Sequence, residues 1–136
     1  VKELKELPNE IKELIAADES LINPSDAFTL ASGSRASHIY NIKLMKSGGI
    51  FPARRIATIA QAADIDLMWG CNDESSISIT AALHTALSFP TTKYLDLDGS
   101  LDLVEDVVKS GFEIKDGRMS VTGRNGLGIV PPDPLN

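Results

Sequence analysis

Basic charge, cysteine and long apolar runs are all scarce in this sequence, and each scarcity closes off a class of function. Thirteen Lys and Arg stand against nineteen Asp and Glu, for a net charge of -6 at pH 7 and an isoelectric point near 4.8. A surface of that sign repels phosphate. It argues against nucleic acid as a partner and against docking on anionic membranes. The one cysteine, Cys71, has no partner for an internal disulfide, which fits a reducing, cytoplasmic setting. No apolar run approaches the ~18 residues of a membrane span, and the charged, helix-forming N-terminus lacks a signal-peptide pattern. What remains is 43% hydrophobic and 24% charged over 136 residues, ordinary for one soluble globular domain. It is long enough for a real core, but a complete eight-stranded β/α barrel takes roughly 250 residues.

Along the chain, short apolar runs alternate with helix-forming stretches. Val1, Leu4 and Leu7 make a helical stripe that Pro8 interrupts. Leu14 to Ala17 reads as a short strand ending at Asp18. Asn23 and Pro24 then open a helix as cap and first residue, running to about Ala31. His38 to Met45 reads as a strand whose pleat sets Asn41, Lys43 and Met45 on one face and Tyr40, Ile42 and Leu44 on the other. Pro52 opens a helix with Ile56, Ile59 and Ala60 inward. Ile65 to Gly70 is a third strand and Glu74 to Phe89 a long helix stopped by Pro90. Lys93 to Leu97 is a fourth strand, and Leu101 to Val108 reads as a helix. Asp116-Gly117 between alternating runs predicts a hairpin. Four βα units plus a hairpin predict an α/β fold, with residues 1–110 as part of a β/α barrel and 111–136 as a return hairpin and tail.

Each of the four strands closes on acids or a lysine, and barrel chemistry sits at the carboxyl ends of strands. Lys43 lies near the end of an apolar strand on the interior face. Desolvation there lowers an amine's pKa and makes it a usable proton acceptor. A lysine at a strand end also snorkels to water, and spacing alone favours that plainer role. Asp96 and Asp98 are two apart and share a face. Two like charges so held call for a cation between them, or else mark a solvated strand end. Asn72, Asp73 and Glu74 suit a pocket lining and a helix cap equally. Lys46 is out of phase and reads as a rim group. Cys71 and His84 read as packed residues, Trp69 and Tyr94 as fillers of strand flanks, and Gly48-Gly49 matches no phosphate-binding spacing.

The wording of these strand ends carries more than their spacing. Ala17-Asp18-Glu19-Ser20, Asn41-Ile42-Lys43-Leu44-Met45-Lys46-Ser47-Gly48-Gly49, Gly70-Cys71-Asn72-Asp73-Glu74-Ser75 and Tyr94-Leu95-Asp96-Leu97-Asp98-Gly99 follow one another in an order that resembles the C-terminal part of the enolase superfamily, most nearly its muconate cycloisomerase-like dipeptide epimerases. The resemblance runs from about Ala16 to Gly128. It implies the C-terminal half of a TIM-type barrel in a magnesium-dependent isomerase. Lys43 would exchange the α-proton on one substrate face, through an enediolate that magnesium stabilises. Asp18 would be one of three strand-end acids on the metal. Asp96 and Asp98 would hold the free ammonium of a dipeptide; Asn72 and Asp73, by their place at the third strand end, are the candidates to line the pocket beside them.

The resemblance also implies a second base on a Lys-x-Lys strand and two further metal acids ahead of Val1. Lys2 and Lys5, and Glu3, Glu6, Glu10 and Glu13, read instead as a solvated helix face. The 136-residue chain is therefore expected to be inactive alone and to associate, with a second copy or with its missing half. Two other readings stay open: a cycloisomerase or o-succinylbenzoate synthase-like relative, which needs no Asp-x-Asp pair, and a non-catalytic half-barrel that serves as an association module.

Overall fold

The computed structural model describes residues 1–109 and 111–132. Its centre is a four-stranded sheet of β1 (Ala16–Ala17), β2 (Ile39–Lys43), β3 (Asp66–Gly70) and β4 (Thr92–Asp96), in spatial order β1-β2-β3-β4. All three pairings are parallel. Helices α3 (Pro24–Ala31), α5 (Ile50–Ala62) and α6 (Ser76–Leu87) fill the crossovers. The four-residue α4 (Leu44–Ser47) follows β2 directly, and β5 (Phe112–Lys115) and β6 (Arg118–Val121) form an antiparallel hairpin. This is the α/β architecture of part of a TIM-type barrel.

The local reasons are legible residue by residue. Asn23 caps α3 by accepting from the N–H groups of Ser25 and Asp26, while the Asp26 carboxylate takes the N–H of Asn23. That reciprocal arrangement satisfies donors a helix start would leave orphaned. Pro8 separates two helical turns, α1 (Lys2–Lys5) and α2 (Asn9–Lys12). On the helix side of the sheet, Tyr40, Ile42, Leu67 and Trp69 pack with Ala27, Leu30, Ala53, Ile56, Ala60, Ile79 and Leu83 into one core. The Tyr40 hydroxyl donates to the Ala27 carbonyl at 2.7 Å, and burial pushes its phenol far above the usual range. The hairpin joins the same core through Phe112, with Met119 packed against it. Residues 133–136 of the tail lie outside the described residues.

Four expectations need correction. The strand carrying the lysine ends at Lys43, not Met45, because Leu44 begins a single turn of helix that Gly48 terminates at φ 87°. Helix α5 starts at Ile50, two residues ahead of Pro52. Residues 101–108 form no helix: Leu101 and Val104 stay exposed, and so short a helix is marginal in water without a buried stripe. The Asp106 carboxylate in this stretch is drawn to the start of α6, where it accepts from Ser76 N–H at 2.6 Å and Ser75 Oγ–H at 2.8 Å. Of the two residues expected to fill strand flanks, Trp69 is buried and Tyr94 is 47% exposed, on the side of β4 that no helix covers.

Candidate active site

The parallel register lines up three strand ends in one row. Lys43 pairs with Gly70, and Gly70 with Asp96. In-register residues of a parallel sheet share a face, so Lys43 and Asp96 project to the side away from the helices. Two strand spacings, about 10 Å, separate their backbones. No ion pair joins Lys43 to Asp96 or Asp98 among the described residues, which leaves a gap a small molecule can span. Gly70 keeps the middle of the row low, and the Asn41 amide lies over it. A Cβ at position 70 would stand 2.5 Å from Asn41 Oδ1.

Asp18 leaves β1 at the same end and anchors a charged network. Lys43 Nζ lies 3.2 Å from Asp18 Oδ2, and Asn41 Nδ2 donates to the same oxygen at 3.1 Å. Lys46 Nζ pairs with Asp18 Oδ1, donates to the Asp18 carbonyl at 2.8 Å and reaches Glu19 Oε1 at 3.5 Å. Lys46 is thus no rim group. Its side chain is 15% exposed and that of Lys43 14%. The sequence placed Lys46 wrongly because a strand continued to Met45 would turn it away, whereas the turn of α4 swings it back over β1. An earlier strand end, marked by the Ser47-Gly48-Gly49 stop one turn later, was the signal available. Burial by itself would raise the Asp18 carboxyl, but the hydrogen bonds and charges of Lys46 and Lys43 outweigh it and hold the group below its ordinary range.

The loop after β3 divides its work. Asn72 Oδ1 accepts from Lys43 Nζ at 3.4 Å, and its Nδ2 meets Met45 Sδ at 2.9 Å. Glu74 is buried, receives the Asn72 N–H at 3.0 Å and takes the Ser78 hydroxyl, so it braces the start of α6. Asp73 stays exposed. Cys71, half-buried where a packed residue was expected, touches the β4 exit: its Sγ lies 3.2 Å from the Asp96 carbonyl and 3.7 Å from Asp98 Oδ1. Nearby on the helix side, an apolar groove of about 550 Å³ runs between Leu44, Ile50, Ile77 and Ala81 and holds none of these charged groups.

The donor chemistry bears on a metal. Asp18 offers carboxylate oxygens of the kind a hard divalent cation takes. Among the described residues, however, no group of three or more His, Cys, Asp or Glu is placed to hold an ion. The Asp18 carboxylate by itself is therefore not a complete site of this type among the described residues. No described helix is long and apolar enough to cross a membrane.

The comparison that decides the family is a match of residues 1–134 to the enolase C-terminal domain-like family. The chain belongs to that family. It is 64% identical over 130 residues to an L-Lys-D/L-Arg epimerase of Methylococcus capsulatus, covering 96% of this chain and 36% of that protein. It superposes with TM-score 0.91 and 64% identity on a crystal structure of a dipeptide epimerase from that organism complexed with Mg and the dipeptide L-Arg-D-Lys, covering 93% of this chain and 36% of the other. A substrate-liganded L-Ala-D/L-Glu epimerase from Bacillus subtilis matches with TM-score 0.80 and 38% identity, over 86% of this chain and 32% of that one. The chain thus spans about a third of the length of these relatives.

Proposed function

We propose that this chain is the C-terminal barrel segment of a magnesium-dependent dipeptide epimerase, with residues 1–110 as barrel and 111–136 as return hairpin and tail. The observation that carries the reading is the row Lys43–Gly70–Asp96 beside Asp18. It sets an amine, a gap and an acidic pair at one end of the sheet, in the order a dipeptide needs. Asp96 and Asp98 bind the substrate ammonium. The peptide then lies across the Asn41 amide that covers Gly70, and its C-terminal α-carbon comes to Lys43 Nζ, which takes or returns the proton on one face. Asn72 orients the Lys43 amine, and Asp73 stands at the pocket mouth.

Asp18 would be one ligand of the magnesium ion, with the remaining ligands and the opposing base from other strands of the barrel. When bound, the ion offsets negative charge gathering on the substrate carboxylate as the proton leaves. The residues here prepare for that: Asn41 and Lys46 fix the Asp18 carboxylate from two sides. The acidic balance of the chain, -6, favours a cationic substrate electrostatically, in line with the basic dipeptide bound by the 64%-identical relative. We therefore place the preferred substrate among dipeptides of Lys and Arg. The Asp96/Asp98 pair favours this over a cycloisomerase-type reaction, whose substrate carries no ammonium.

The test is proton exchange in deuterium oxide. The full-length protein, with magnesium and L-Arg-L-Lys, is expected to wash the α-proton of the second residue into solvent and build up the L,D epimer by NMR. Absence of exchange with this and with L-Ala-L-Glu, alongside turnover of a muconate, would overturn the assignment.

A further inference from the structure

We infer that Cys71 is a positioning residue: with Gly99 it forms a joint between the exits of β3 and β4 that sets Asp96 and Asp98 for the substrate ammonium. The inference rests on the reading of those two acids as the ammonium site. The thiol stands between three groups of the neighbouring exit. Its sulfur accepts the Gly99 N–H at 3.2 Å, and its proton lies within reach of the Asp96 carbonyl at 3.2 Å and of Asp98 Oδ1 at 3.7 Å. Gly99 closes the joint from the other side. A Cβ there would fall 1.9 Å from the Asn72 carbonyl oxygen and 3.1 Å from Cys71 Sγ, so the two loops meet backbone to backbone in a space only glycine leaves open.

The acids need such a device. Asp96 closes β4 and Asp98 lies two residues beyond it; both are exposed, carry like charge and stand at the end of a strand whose outer edge has no partner strand among the described residues. Left free, they would splay. Cys71 ties their backbone to β3, whose end is paired on both sides. Burial foremost, with the Asp98, Asp96 and Glu74 carboxylates adding to it against the Gly99 N–H, keeps the thiol above its ordinary range. The sulfur thus stays protonated and able to donate. The joint also carries Asn72, which reaches Lys43 at 3.4 Å. The amine and the acidic pair are therefore registered against each other through residues 71, 72 and 99.

The experiment is steady-state kinetics on the full-length enzyme with magnesium and L-Arg-L-Lys, comparing Cys71→Ala, Cys71→Val, Cys71→Ser and Asp98→Asn. Loss of the joint acts on ammonium binding, so the alanine and valine variants should raise KM about tenfold with kcat within about twofold. Serine keeps a donor and an acceptor and should return KM most of the way to the parent value. Alanine is smaller than the thiol and valine larger by a methyl group, and both lose the donor and the acceptor, so a raised KM in both beside recovery in serine separates hydrogen bonding from packing. Parental KM in the valine variant beside a raised KM in Asp98→Asn overturns the joint and leaves the ammonium site standing. Serine as impaired as valine overturns it as well. Parental KM in Asp98→Asn overturns the ammonium site, and the inference with it.

Discussion

Asp18 is the residue on which most of the site's contacts converge, and its titration reports them. Its folded-state pKa is held below the ordinary 3.8 by Lys46 and Lys43 against the opposing effect of burial. A depressed carboxyl stabilises the fold fully above its unfolded value and loses that contribution as pH falls through the lowered folded value. Lys46→Met should therefore destabilise the full-length protein at pH 6, and the gap to the parent should close below about pH 3.8. Urea unfolding at a series of pH values measures it; a gap independent of pH would mean Lys46 acts through packing alone. Lys43→Ala separates chemistry from structure at the same carboxylate. It should abolish deuterium exchange on one substrate face while magnesium affinity changes little, because Lys46 and Asn41 still hold Asp18. Equal loss of exchange and metal affinity would mark Lys43 as structural. That Lys43, Asp18 and Asp96 stand at or near strand ends was legible in the sequence, because each lies at the close of a short apolar run; the roles proposed for them came from the wording of those strand ends, not from the spacing. Lys46, Asn41 and Cys71 were not legible in this way. Their work depends on a helical turn at Leu44 and on cross-strand register, neither of which a pattern of apolar residues encodes.

At the scale of elements, strands and long helices were legible and the connecting turns were not. The runs around Ile42, Leu67 and Leu95 are apolar and bounded by polar ends, so tertiary packing and local preference agree there. Residues 101–108 show the opposite. Leu101, Val104, Val107 and Val108 suggest a helical stripe, but no surface receives it, and the stretch instead donates Asp106 to the N-terminus of α6. Hydrogen bonds from Ser76 and Ser75 more than offset the upward push of desolvation, and hold the Asp106 carboxyl below its usual range, as a helix-capping acid requires. Asp106→Ala should cost about 1 kcal/mol in stability, largest near neutral pH and fading as pH falls below the carboxylate range. Thermal melts at pH 7 and pH 3 check it; equal losses at both would rule out the cap. On the buried side of α5, Ile56→Ala should cost about 2–5 kcal/mol, since Ile56 is 1% exposed in the core between helices and sheet. A chemical-denaturation midpoint unchanged by that substitution would mean the helix packs elsewhere.

Among the described residues the four parallel strands form an open sheet with its core on the helix side. β1 and β4 have no outer partner among the described residues. The face opposite the helices carries Asn41, Lys43, Met68 and Tyr94, of which Tyr94 is the most open. Unpaired strand edges recruit other strands, and apolar surface left open recruits other chains. Tyr94 and Leu95 on β4 are 47% and 44% exposed, and Phe28 and Phe51 on the outer helices 67% and 75%. A 136-residue chain in this state should not persist as a compact monomer; it should pair with a second copy or with the remaining strands of a full barrel. The same incompleteness governs chemistry. One strand-end carboxylate, already engaged by two ammonium groups, cannot strip water from a cation that holds its shell as tightly as magnesium. One base serves only one substrate face. The isolated chain should therefore show weak magnesium affinity and no epimerisation. Sedimentation velocity over a concentration series and α-proton exchange with magnesium present test the two claims separately. A monomer at all concentrations would refute the assembly argument. Exchange by the isolated chain would require a second base and further metal ligands among these 136 residues; the search would then begin with Glu19, Asp73 and Glu74, the remaining acids at the strand ends.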